Sequence, residues 1–216
     1  MFIDIHSHRT GLSSNTELRV SNVIVSKDYL NSSPCSAGIH PWYIDEDQAN
    51  QLEALEQYLL KKEVIALGEC GLDKVVQNPW NIQVEVFEKQ ITLANKYQKP
   101  LIIHCVRAYS EVCTSLMRMK VQVPVIFHGF NKNWTLANTL IKQGYYISLG
   151  HAIQLGKMNE LIEQVPLDRI FFETDDKPIK ISNIYAYFCR VRKNIPLEVL
   201  QRQLRQNFIQ AFNYSL

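Results

Sequence analysis

Eight short apolar runs spread along 216 residues limit what this chain can fold into, because six of them close on or beside a side chain that binds metal or moves protons. The runs are 2–6, 22–26, 36–40, 64–69, 100–105, 123–128, 145–149 and 170–175. His6, His40, Glu69, His104, His128 and Asp175 stand at six of those ends. Apolar runs of this length read as buried strands. Between most of them lie amphipathic stretches. Residues 46–61 place Leu52, Leu55 and Leu59 on one helical face, and 82–97 do the same with Ile82, Val86, Leu93 and Tyr97. Further helices are expected over 106–120, 132–142, 157–163 and 196–213.

Strand–helix alternation repeated in this way predicts an α/β protein of the (β/α)8 TIM-barrel class, one domain over residues 1–216. Reactive side chains at strand ends would then gather on one rim, where such barrels carry their active sites. An open doubly wound sheet fits less well: no glycine-rich fingerprint follows the first run, and polar ends occur on many strands rather than at one switch point. The barrel should be somewhat reduced. Only 27–33 separates the second and third runs, a short crossover with no room for a full helix, and 9–20 is sparse in apolar periodicity.

Composition narrows the function. A net charge of +2 is too mild to imply a protein built on phosphate contacts, though it permits nucleic acid held locally. Five cysteines without a CxxC pair read as free thiols, and Cys105 should face away from His104 in a strand. The N-terminus lacks the features of a secretory signal and no stretch is long enough to span a membrane, so a cytoplasmic protein is expected, with no membrane and no protein partner inferred.

Asp4, His6 and His8 alternate along an extended segment and share a face, so both imidazoles can reach one ion while Asp4 is expected to fix an imidazole tautomer. A lone His-x-His is a weak signal. Glu69, His104, His128 and Asp175 at comparable strand ends make it a strong one. Six such ligands exceed the needs of a single zinc with an open position and suit two divalent ions with a bridging water that becomes hydroxide near neutral pH. Imidazole and carboxylate without thiolate suit zinc, manganese, nickel, iron or magnesium alike.

The motifs resemble those of the TatD family of metal-dependent hydrolases. Asp4-Ile-His-Ser-His8 is similar to its opening DxHxH, and Ala37-Gly-Ile-His-Pro-Trp42 to its GxHP. Ala66-Leu-Gly-Glu-Cys-Gly-Leu-Asp73 resembles its IGExGLD. Gln83, Phe87, Leu93-Ala94 and Pro100 to His104 follow its central stretch, His128-Gly-Phe130 its HxF, and Glu173-Thr-Asp175 its ETD. The resemblance implies that His6, His8 and Asp175 hold a first metal, that Glu69 bridges both, and that His104 and His128 hold the second. It further implies that Asp175 orients or deprotonates the attacking water. His40 would face the scissile phosphate or leaving group; Asp73 would touch substrate or only cap a loop.

The chain departs from the family at Val106, where an arginine is common; Arg107 follows and is the candidate phosphate contact. Asp176 and Lys177 reshape the loop after the ETD, and His151 matches nothing in the family. The family implies a deoxyribonuclease acting from the 3′ end, with DNA as the partner. The alternatives are hydrolysis of a small ester, amide or phosphoester by the same centre, and a metal-free binding protein that keeps the barrel. Lys74, Lys132 and Lys177 fall in loops on the expected rim. Trp42, Tyr109 and Trp134 could stack bases or cover seams between helix and strand.

Overall fold

In the computed structural model, which describes residues 1–9, 14–30 and 34–215, the strands form one sheet whose neighbour order is the chain order. They are β1 (Phe2–Ser7), β2 (Glu17–Ile24), β3 (Cys35–Gly38), β4 (Val64–Asp73), β5 (Leu101–Val106), β6 (Val125–Phe127), β7 (Tyr146–Leu149) and β8 (Ile170–Phe172). Parallel pairing joins β1 to β2, β3 to β4, β4 to β5, β6 to β7 and β7 to β8. The helices are α1 (Gln48–Leu59), α2 (Trp80–Tyr97), α3 (Tyr109–Arg118), α4 (Trp134–Lys142), α5 (Asn159–Gln164), α6 (Ile181–Val191) and α7 (Leu197–Phe212). This is the strand order and alternation of a (β/α)8 barrel. Among the described residues no helix separates β1 from β2 or β2 from β3, as the short crossover predicts; positions 31–33 of that crossover lie outside the described residues.

Two expectations need correction. β2 begins at Glu17 rather than at 22, because Leu18 and Val20 alternate with Glu17 and Arg19 and so escape a search for continuous apolar runs. α6 is an unforeseen helix. Its Ile181, Ile184, Tyr185 and Phe188 lie at i, i+3, i+4 and i+7 and are all buried, but β-branched and aromatic residues disguise the period.

The chain divides into two compact units, residues 22–125 and the remainder. In the first, all ten residues of β4 are buried, as expected of a parallel strand covered on both faces. The inner face of α2 is Val86, Phe87, Ile91 and Ala94, interrupted by two buried glutamines, Gln83 and Gln90. Asp47 caps α1 by accepting from the Asn50 N–H at 3.1 Å. Gly71, at φ +144°, lies so close to β5 that a Cβ would stand 2.0 Å from the His104 carbonyl oxygen, so only glycine fits there.

The second unit packs α4–α7 against β1 and β6–β8 around an aromatic core. Phe172 meets Tyr185 edge-on at 4.7 Å between ring centroids, and Phe208 stacks on Phe212 at 4.5 Å. The Tyr185 hydroxyl accepts from the Ile3 N–H at 3.1 Å and donates to the Ile3 carbonyl at 3.2 Å, which ties α6 to β1. Asn207 of α7 donates to the carbonyls of Leu167 and Ile170 and fixes the start of β8.

Candidate active site

His6 and His8 leave β1 beside the residues that follow β8. The Asp175 N–H donates to the His6 carbonyl at 3.0 Å and the His8 N–H to the Asp175 carbonyl at 3.1 Å. That exchange continues the sheet past the last residue of β8 and brings three expected ligands together. His6 Nε2 and His8 Nε2 lie 3.7 and 3.4 Å from Asp175 Oδ1. These separations are long for hydrogen bonds. They match ligands sharing an ion, since two atoms about 2.1 Å from a tetrahedral metal stand roughly 3.4 Å apart. His6 is fully buried, while the His8 and Asp175 side chains keep 30% and 35% of their exposure, so the group opens to solvent on that side. Asp175 holds φ +53°, a conformation that a non-glycine residue adopts at a cost and that here aims its carboxylate at the imidazoles.

His128 follows β6, and its ring lies 4.3 Å from that of His6. Glu173, buried two residues before Asp175, stands behind it. Glu173 Oε1 accepts from the Gly129 N–H at 2.6 Å and lies 3.4 Å from His128 Nδ1. Burial pushes the Glu173 carboxyl up, but the charge and hydrogen bond of His128 and the charge of His6 outweigh it and hold the group below its ordinary value. Asp4 acts differently from the expectation. Its carboxylate accepts from the Thr174 N–H at 3.0 Å and the Thr174 hydroxyl at 2.6 Å, so its support reaches Asp175 through the neighbouring residue. Burial, opposed by those bonds, raises the Asp4 carboxyl to about 7.

The other unit gathers His40, Glu69 and His104. Glu69 Oε1 lies 3.1 Å from His40 Nε2 and 2.7 Å from His104 Nδ1. Hydrogen-bond direction separates the two rings. His40 Nδ1 accepts from the Trp42 N–H at 3.0 Å, so its proton sits on Nε2 and that atom is a donor. His104 Nε2 faces Asp73 Oδ2 at 3.2 Å, an atom that only accepts, so its proton sits on Nε2 and Nδ1 turns a lone pair toward Glu69. A carboxylate oxygen and an unprotonated imidazole nitrogen 2.7 Å apart need a cation or a proton between them. His6, His8 and Asp175 in one group, and Glu69 and His104 in the other, therefore fit a divalent metal. In each group, His40 included in the second, the ring nitrogens and carboxylate oxygens lie within 4.8 Å of one another.

Four supporting residues were given no role by the sequence reading, though Gln83 and Glu173 lie within its motifs. Asn22 Oδ1 accepts from the Glu69 N–H at 2.9 Å and from Ser36 Oγ at 3.1 Å. Gln90 clasps the residue before His40: its Oε1 accepts from the Ile39 N–H at 2.8 Å and its Nε2 donates to the Ile39 carbonyl at 3.0 Å. Gln83, one α2 heptad earlier, accepts from the Asp73 N–H at 2.9 Å. Glu173 completes the four. The signal for the glutamines was two polar residues seven apart on an otherwise apolar helical stripe.

Asp73 is a buried support for His104 and Trp42, and these bonds with the Val75 N–H outweigh burial and lower its carboxyl. Arg107 is exposed, one residue past β5 with φ +55°, and is not drawn into the His40 group. Lys74 pairs with Glu111, and Lys177 with Asp176. His151 Nδ1 meets Gln154 Oε1 at 3.0 Å within one short turn, a local contact in keeping with an incidental role.

Known proteins are similar to this chain. The family described as TatD related DNase matches residues 9–213. A metal-dependent hydrolase of Haemophilus influenzae is 28% identical over 199 residues, covering 82% of this chain and 76% of that protein. The metal-dependent hydrolase YabD of Bacillus subtilis is 30% identical over 170 residues, covering 76% and 66%. The crystal structure of YjjV, a TatD homologue from Escherichia coli, superposes with a TM-score of 0.83 at 22% identity over 99% of this chain and 98% of that one. A TatD family hydrolase from Entamoeba histolytica gives 0.75 at 16% identity over 98% and 97%. At those identities the two structures speak for the fold alone. No helix among the described residues is long and apolar enough to cross a membrane.

Proposed function

Because the chain belongs to the TatD-related DNase family, we propose that it is a divalent-metal-dependent hydrolase that cleaves phosphodiesters in DNA, working from the 3′ end. The observation that supports this reading most is the two groups of imidazole and carboxylate, His6–His8–Asp175 and Glu69–His104 with His40 beside them, whose ring nitrogens and carboxylate oxygens lie within 4.8 Å of one another in each. In this reading, as the family resemblance implies, His6, His8 and Asp175 would hold one ion, His104 and His128 would hold a second, and Glu69 would contribute to both. When bound, the ions supply Lewis acidity and a nucleophile at neutral pH. Asp175 accepts the proton of the attacking water on its partly exposed carboxylate. His40, with its proton on Nε2, donates to the scissile phosphate. Asp73 keeps His104 in one tautomer, and Arg107 reaches a phosphate oxygen beyond the bond that breaks.

The test is a metal-reconstituted screen with Mg²⁺, Mn²⁺ and Zn²⁺ on 3′- and 5′-labelled single-stranded DNA, run beside chromogenic phosphodiesters and acyl and amide substrates. Stepwise loss of the 3′ label that stops on chelation is expected. Turnover confined to acyl, amide or small phosphoester substrates would assign another bond to the same centre, and no turnover of any substrate would overturn the hydrolase reading.

A further inference from the structure

Trp42 is 53% exposed, whereas Tyr109 and Trp134, the other aromatic side chains proposed for stacking, are only partly exposed. Despite this exposure it is anchored. Its indole Nε1 donates to Asp73 Oδ2 at 2.6 Å and its backbone N–H to His40 Nδ1 at 3.0 Å. Its ring meets His40 edge-on at 5.2 Å and His104 at 6.2 Å between centroids. Pro41 restricts the backbone before it, and the Pro41 carbonyl accepts from Asn78 Nδ2 at 2.7 Å. A half-exposed indole is only partly stabilised by burial, so the hydrogen bond that holds its ring to Asp73, with those that fix the backbone at Pro41 and Trp42, calls for another cause. A rigid, half-open aromatic face next to a hydrolytic centre is how proteins hold the bases of a single strand.

We propose that Trp42 is a stacking platform for the nucleobase next to the scissile phosphate. The proposal rests on the nucleic-acid reading given above and adds to it the class of group recognised: a planar aromatic heterocycle, with little preference among the four bases. Asp73 Oδ2 accepts from both Trp42 Nε1 and His104 Nε2, so the platform and a candidate ligand are held by one oxygen. A base seated on Trp42 therefore bears on the orientation of His104.

The test uses metal-loaded full-length protein and short single strands that carry 2-aminopurine, or an abasic residue, at successive positions from the 3′ end. One position should show quenched 2-aminopurine fluorescence with the wild type. Quenching should vanish in Trp42→Ala and persist in Trp42→Phe, which keeps a ring but loses the bond to Asp73. An abasic residue at that position should raise the wild-type KM by roughly 5- to 150-fold, the range expected for one stacked base, and leave the KM of Trp42→Ala unchanged. Trp42→Phe should lose kcat more than KM, since it frees Asp73 while keeping the platform. Unchanged metal content and circular dichroism of Trp42→Ala exclude a folding defect, and Trp42→Phe repeats the test should that variant fold poorly. Equal losses by Trp42→Ala on normal and abasic strands, or no position-specific quenching, would overturn the platform even if DNA is cleaved. Position-specific quenching without cleavage would keep the platform and refute the phosphodiester reading.

Discussion

His40 and His104 bring ring nitrogens within 3.2 Å of each other, yet their backing groups give them opposite roles. A backbone N–H behind His40 makes it a donor; a carboxylate behind His104 leaves it a lone pair with which to bind a metal. Glu173, 3.4 Å from His128 Nδ1, places a carboxylate behind that ring as Asp73 does behind His104. Glu173→Gln keeps the shape but exchanges a pure acceptor for an amide, and should weaken metal binding about 10- to 100-fold, the usual cost of losing such a support. Competition with a chelating dye measures it, and unchanged affinity would show that Glu173 only anchors the Gly129 backbone. Asp175→Asn should lower kcat by about 100-fold or more, the scale of a lost proton transfer, and change DNA affinity far less. Single-turnover kinetics beside equilibrium binding separate the two, and a loss confined to binding would remove Asp175 from the proton path.

At the scale of elements, the sequence marked the strand ends at which the structure gathers imidazoles and carboxylates, because a polar residue closing an apolar run interrupts a buried pattern at one place. Six of the eight ends were legible in that way. The grip of helices on strands was not, because it depends on which polar residue of an apolar helical stripe faces which backbone group. Gln90 on Ile39 and Tyr185 on Ile3 are two solutions to the same problem. Gln90→Leu would leave both backbone groups of Ile39 unpaired in a buried place, at about 1–3 kcal/mol for each orphaned group, and should lower the melting temperature measurably. An unchanged melting temperature would mean that water replaces the amide.

Asp4 makes the link between β1 and the loop after β8 dependent on pH. Its carboxyl is raised to about 7 from an ordinary 3.8, so the folded state favours the neutral form. The stability it contributes is complete below pH 3.8 and is lost as pH rises through about 7. Thermal melts of metal-free protein should show Asp4→Asn gaining on the wild type across that interval. A constant difference from pH 4 to 8 would contradict the shift.

For the whole molecule, the family, the charge and the thiols agree. A net charge of +2 asks for substrate gripped at a centre rather than along a basic face. The five cysteines are free thiols, and burial drives Cys35 up to about 12 and Cys70 higher still. In native protein at pH 8, iodoacetamide should spare both, and mass spectrometry should find all five alkylated only after unfolding. Function was legible only to the level of a metal-dependent hydrolase, because candidate ligands are marked by residue type and position, whereas the proposed substrate contacts Trp42 and Arg107 depend on exposure and loop geometry. The central claim is that this chain is built around a divalent-metal centre to which Glu69 contributes. Metal bound per chain after reconstitution and desalting tests it most directly. Two equivalents in the wild type and a clear loss in Glu69→Ala are predicted; no bound metal, or the same content in both proteins, would contradict it.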